Sequence, residues 1–189
     1  MVDVKICGIS SPADYQHCHA AGARWVGMVY YPGSPRHLEL KALARLADQI
    51  DELPDAGPQR VLLTVEQTMA SLRSLIAAAR PDYLQLHGAE SVDSAVAIKA
   101  EFGLPIIKMI PIQTSADLAA CAQWDGVADW LIFDAKVEKG TQPGGTGHSF
   151  DWRILSHYQG NTPWMLAGGL TIHTITEAVR ISGASAVDV

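Results

Sequence analysis

The sequence predicts an α/β protein folded as a closed (β/α)8 barrel, and three observations carry that prediction. Eight short apolar runs recur along the 189 residues, most of them rich in Val, Ile and Leu. Runs of this length and composition suit the buried strands of a parallel sheet. Between them lie polar or glycine turns and stretches with helical spacing. Finally, polar side chains gather toward the C-terminal ends of several strands, where barrel enzymes hold their active sites.

The strands begin near Val4 (VKICGI), Trp25 (WVGMVY), Arg60 (RVLLTV) and Tyr83 (YLQLHG). Four more begin near Pro105 (PIIKMIPI), Trp130 (WLIFDA), Pro163 (PWMLAGG) and Ala186 (AVDV). Helices are expected over 40–50, 69–79, 92–102 and 172–181, with Ser, Thr or Asp near several starts. Asp51–Gln59 reads as a surface loop, and no linker divides the chain, so residues 1–189 are expected to form one barrel domain. An open doubly wound sheet is the competing topology. Its phosphate fingerprint G-x-G-x-x-G is absent from the first β–α turn, Cys7-Gly8-Ile9-Ser10. A complete barrel runs to about 250 residues and ends in a helix. The reading therefore expects the last loop and C-terminal helix to be missing from this sequence, with the natural chain extending ~15–25 residues beyond Val189.

Composition excludes other classes. With 48% hydrophobic and 18% charged residues the chain holds enough apolar material for a core, which disordered chains do not. Its net charge of −6 and lack of a basic run make nucleic acid or an anionic membrane poor partners. No apolar stretch approaches the ~20 residues of a membrane span. Three cysteines without zinc-type spacing point to a reduced, cytoplasmic setting. His17, His19, His37, His148, His157 and His173 follow no ligand spacing, so no metal is invoked.

Strand side chains alternate between faces. Lys5 and Cys7 therefore share one face of the first strand, opposite Val4 and Ile6. Tyr83, Gln85 and His87 oppose Leu84 and Leu86; Ile132 and Asp134 oppose Leu131 and Phe133; Ala186 and Asp188 oppose Val187 and Val189. A single polar inward residue is as readily a satisfied core group. The same pattern on four strands indicates a site.

At these residues the chain closely resembles the phosphoribosylanthranilate isomerase family, TIM-barrel enzymes of tryptophan biosynthesis. The matching segments are VKICGI at 4–9, GMVYYPGSPRHL at 27–38, LQLHGAE at 84–90 and IIKMI at 106–110. They continue as LIFDAKVEKGTQPGGTGHSFDW at 131–152, LAGGL at 166–170 and VDV at 187–189. The third strand departs, reading VLLTVEQ where the family more often has VGVFVN. The resemblance implies an Amadori rearrangement of N-(5′-phosphoribosyl)anthranilate to 1-(2-carboxyphenylamino)-1-deoxyribulose 5-phosphate, without metal or organic cofactor. It further implies Cys7 as general base, Asp134 as general acid, and Arg36 as the ligand of the anthranilate carboxylate. The implied partner is a phosphorylated small molecule, and the chain is expected to be a monomer or homodimer.

The residues fit that chemistry on their own terms. A thiol needs help to ionise, and Lys5 lies on the same strand face two positions from Cys7. Asp134 must hold a proton near neutrality, which burial or nearby negative charge achieves. An arginine grips a carboxylate through two parallel hydrogen bonds, and Arg36 follows a proline-stiffened loop. Read alone, Cys7 would be a small buried hydrophobe and Arg36 a solvated surface residue. Gly168 and Gly169 are expected to open one half of a phosphate site at a helix N-terminus. Gly144-Gly145-Thr146-Gly147 is expected to act as a mobile lid or accessory contact. Gln85 and His87 are expected to touch substrate or orient the acid. Asp188 sits at the ribose or phosphate rim, or holds a neighbouring cation. Two alternatives compete: another sugar-phosphate barrel enzyme, which would use a catalytic lysine or a metal, and a non-catalytic barrel that binds a phosphorylated metabolite.

Overall fold

A computed structural model describes residues 1–135 and 150–189. Eight strands follow in order: β1 (Asp3–Cys7), β2 (Trp25–Tyr30), β3 (Gln59–Thr64), β4 (Tyr83–Leu86), β5 (Ile106–Ile112), β6 (Trp130–Ala135), β7 (Trp164–Leu166) and β8 (Ala186–Asp188). They form one closed parallel barrel in chain order, β8 returning to β1 with Lys5 opposite Asp188. The expected barrel is the one observed, and all eight predicted strands lie where the apolar runs placed them.

The helices are α1 (Pro12–Ala20), α2 (Leu40–Asp51), α3 (Met69–Ala79), α4 (Val92–Phe102) and α5 (Ile175–Ser182). Their starts follow from side chains that accept orphan amide hydrogens. Ser11, Thr68 and Ser91 accept from the N–H groups of Asp14, Ser71 and Ser94. Gly103 and Gly183 end α4 and α5 in the left-handed conformation. Two departures stand out. The helix expected over 172–181 begins only at Ile175, because Thr171 and Thr174 first close a turn through their own hydroxyls. The segments Ser115–Trp124 and Trp152–His157, for which no helix is expected, wind as 3₁₀ helix.

Alternation along the strands divides the core into two layers. Val26, Met28, Leu62, Leu84, Leu86, Leu131, Phe133, Leu166 and Val187 pack outward against Leu43, Leu46, Leu72, Leu75 and Ile98 of the helices. Trp25, Val61, Ile107, Ile132, Met165 and Ala186 fill the barrel itself. Trp25 and Trp130 meet edge to face at 5.1 Å, near the strands' N-terminal ends. With that end filled by side chains, the polar residues of the opposite end have a rigid floor. No helix among the described residues is long and apolar enough to cross a membrane.

Candidate active site

The site is built from the C-terminal halves of β1, β4, β6 and β8. Closing the barrel sets Lys5 beside Asp188, and the ammonium donates to the Asp188 carboxylate at 2.8 Å. Lys5 is fully buried and Asp188 nearly so. Burial alone would strip the proton from Lys5. The negative charge of Asp188 and the neighbouring Cys7 sulfur outweigh that, and the lysine is held above its ordinary pKa. Asp188 thus holds a neighbouring cation, Lys5, at the end of β8.

Cys7 stands two residues along the same face, opposite Gly27 of β2. A Cβ on Gly27 would lie 3.1 Å from the Cys7 Sγ and 3.3 Å from the Lys5 Nζ. Glycine there is what lets the sulfur and the ammonium lie side by side. Burial pushes the Cys7 thiol up, Lys5 pulls it down, Asp188 pushes it up again and Arg36 pulls it down; the net result is a raised pKa. The lysine therefore moderates the cost of forming a thiolate without abolishing it.

Asp134 closes the other side. Burial lifts its pKa to about 6, against a hydrogen bond from the Ala135 amide; Asp188 adds to the rise and Lys5 subtracts from it. Lys5 and Asp188 thus act electrostatically on both Cys7 and Asp134. Behind Asp134, the His87 Nε2 lies 3.9 Å from its carboxylate, too far for a hydrogen bond. The Gln85 amide donates to the His87 Nδ1 at 2.9 Å, which places the proton of the neutral ring on Nε2, facing the acid. Burial, with Lys5 and Lys108 adding to it, depresses His87 to about 3, so the ring stays neutral at any working pH. Gln85 is fully buried beneath it.

Arg36 lies exposed on the loop between β2 and α2, and its aliphatic stem runs over Gly8. A Cβ at Gly8 would sit 2.0 Å from the Arg36 Cδ, and Gly8 holds φ +93, a conformation other residues avoid. Arg36 is thereby drawn to the rim beside Cys7 and lowers its pKa. Gly168 and Gly169 follow β7 with φ +84 and +65, and a Cβ on Gly168 would be 2.8 Å from the Ala135 amide nitrogen and 3.2 Å from the Asp134 Oδ1. Cys18 and Cys121 are buried in the outer layer, away from the barrel mouth, where burial and the carboxylates of Asp14 and Asp125 respectively push their thiols up. The Gly144–Gly147 motif and His148 lie outside the described residues.

Sequence reasoning passed over Gly8 and Gly27, although a glycine inside or ending a strand is a signal of close approach. It also passed over Lys108, which lies on the helix-facing side of β5 between Ile106 and Ile110 and so has no inward position to draw the eye.

The barrel mouth thus brings together a carboxyl group, a thiol and a cationic rim. The model of the family described as N-(5′-phosphoribosyl)anthranilate (PRA) isomerase matches residues 4–189. The N-(5′-phosphoribosyl)anthranilate isomerase of Nitrobacter hamburgensis is 47% identical over 187 residues, 98% of this chain and 81% of its own. That of Cereibacter sphaeroides is 43% identical over 189 residues, 100% of this chain and 87% of its own. The crystal structure of phosphoribosyl anthranilate isomerase from Thermotoga maritima superposes with a TM-score of 0.84 at 28% identity, covering 100% of this chain and 87% of that one. The chain belongs to the N-(5′-phosphoribosyl)anthranilate isomerase family and is an isomerase of it.

Proposed function

We propose that the chain rearranges N-(5′-phosphoribosyl)anthranilate into 1-(2-carboxyphenylamino)-1-deoxyribulose 5-phosphate, with Asp134 as general acid and Cys7 as general base. The observation that supports this most is that Asp134 and Cys7 share the electrostatic influence of one buried ion pair, Lys5–Asp188. Protonated Asp134 donates to the ribose ring oxygen; the C1′–O bond breaks, and the nitrogen lone pair forms a Schiff base. The Cys7 thiolate then removes the C2′ proton. The electrons move into a C1′–C2′ double bond as the C=N pair returns to the nitrogen, and the resulting enolamine takes a proton at C1′ and gives up the 2′-hydroxyl proton to become the ketone. Each positioned proton transfer is typically worth 10²–10⁴-fold.

The remaining residues support these two. Lys5 faces the thiolate as it forms. The His87 N–H faces the Asp134 carboxylate as it loses its proton, and Gln85 keeps that tautomer. Because Lys5 and Gln85 are fully buried, they act from behind the surface that the substrate meets. Arg36 holds the anthranilate carboxylate at the rim, and the turn at Gly168 and Gly169 faces the phosphate.

The test is turnover of the purified chain with N-(5′-phosphoribosyl)anthranilate, alongside Cys7→Ser and Asp134→Asn. Each variant is expected to lose at least 10²-fold in kcat with a much smaller change in KM. A variant that keeps kcat within a factor of about 3 removes its residue from the mechanism.

A further inference from the structure

Behind the acid half of the site lies a second buried ion pair that the mechanism does not use. Lys108 of β5 and Glu90 of the β4–α4 loop meet at 2.8 Å, with side-chain exposures of only 5% and 6%. Lys108 projects outward from the barrel, away from its axis, with Ile106 and Ile110. What they touch is backbone. The Glu90 Oε1 accepts the Glu66 N–H at 2.8 Å, and its carboxylate accepts the Gly88 N–H at 3.0 Å. The Lys108 ammonium donates to the Gly88 carbonyl at 2.5 Å and lies 5.3 Å from the centre of the Trp124 ring.

Gly88 immediately follows His87. The His87 N–H donates to the Thr64 carbonyl at 2.9 Å, so the His87 N–H and both backbone polar groups of Gly88 are pinned. A Cβ on Gly88 would lie 2.7 Å from the Glu66 Cγ, and Glu66 itself holds φ +47, rare for a residue with a side chain. The loops after β3 and β4 are therefore drawn tightly together around one carboxylate. Two buried charges add little net stability compared with apolar residues of the same shape. What they do provide is a fixed backbone geometry, and the side chain whose position depends on it is His87.

We propose that Glu90 and Lys108 are positioning residues of the reaction: they clamp the peptide after His87, and so hold its ring against Asp134. This rests on the reading of Asp134 as general acid. The clamp differs from a merely structural pair in one respect, that catalysis should suffer under conditions where the variant is fully folded.

The experiment is steady-state kinetics of the full chain in which both charges are replaced by apolar side chains, Glu90→Leu with Lys108→Met, beside thermal unfolding. The expected result is a lower Tm, because the Glu66 and Gly88 N–H groups and the Gly88 carbonyl lose their partners, with KM within about 3-fold and kcat lowered at least 10-fold at a temperature well below that Tm. In a His87→Ala background the same pair should lower kcat no further, since the clamp acts through that ring. Should the double variant not fold, Glu90→Gln keeps the acceptor for Glu66 while removing the charge opposite Lys108. It should lower kcat several-fold at unchanged KM. Parent-like kcat in whichever variant folds, or a defect fully additive with His87→Ala, overturns the clamp. Asp134→Asn separates the two failures. If that variant stays active, the acid is misassigned; if it is inactive while the clamp variants are not, only the clamp is wrong.

Discussion

Asp134 and Cys7 have protonation preferences opposite to the ones their roles require. With Asp134 at about 6 and the Cys7 thiol above its ordinary value, the prevailing form at neutral pH is carboxylate with thiol. The reactive form, carboxylic acid with thiolate, holds the same number of protons and is a constant minority between the two pKa values. The profile of kcat/KM is therefore expected to be bell-shaped, with its acid limb near 6 and its alkaline limb above the usual thiol range. His87, near 3, contributes no limb. Asp188 raises both groups, so Asp188→Asn should move both limbs to lower pH. Kinetics across pH 5–10 check this, and limbs that stay in place would show that Asp188 does not tune the pair.

At the scale of elements, the site depends on how closely neighbouring segments approach. The β2–α2 loop reaches the mouth only because Gly8, at the end of β1, leaves room for the Arg36 stem. Gly8→Ala imposes a left-handed backbone on a residue with a Cβ, at a cost of about 1–3 kcal/mol, and displaces that stem. Both Gly8→Ala and Arg36→Met are expected to raise KM about tenfold, the loss of one charge-assisted carboxylate contact. Because they disturb the same contact, the double variant should be little worse than either single one. Additive effects in this cycle would mean that Gly8 does not act through Arg36. Removing the ring carboxylate from a substrate analogue should abolish the difference between Arg36→Met and its parent.

Across the whole molecule, the raised pKa of Asp134 is a stability statement. The folded chain binds this proton more tightly than the unfolded chain, whose aspartate titrates near 3.8. The contribution of Asp134 to stability therefore falls as pH rises from about 4 through 6 and stays lowered above that, by about 3 kcal/mol, while His87, whose folded value is depressed, contributes with the opposite sign over the same range. Asn at this position carries no such charge. Asp134→Asn is expected to be inactive yet more stable than its parent at pH 8, with the advantage disappearing by pH 4. Urea unfolding at the two pH values checks the sign. An equal or less stable variant at pH 8 would mean that the carboxylate is better solvated than its burial indicates.

Periodicity alone placed the eight strands, the helices α3 and α4 to the residue, and the inward faces that carry Lys5, Cys7, Gln85, His87, Asp134 and Asp188. Those features were legible because strand alternation and helical spacing are local: each side chain's face follows from its neighbours a few positions away. The motifs around Cys7, Arg36 and Asp134 added their expected roles. What no stretch of sequence could reveal is pairing at long range. The Lys5–Asp188 ion pair joins residues 183 positions apart, and only barrel closure brings them together. The glycines that admit the Cys7 sulfur and the Arg36 stem owe their meaning to neighbouring elements, as does the Glu90–Lys108 pair behind His87. Burial sets the protonation of Asp134 and His87, and burial is a property of the packed barrel rather than of any segment of its chain.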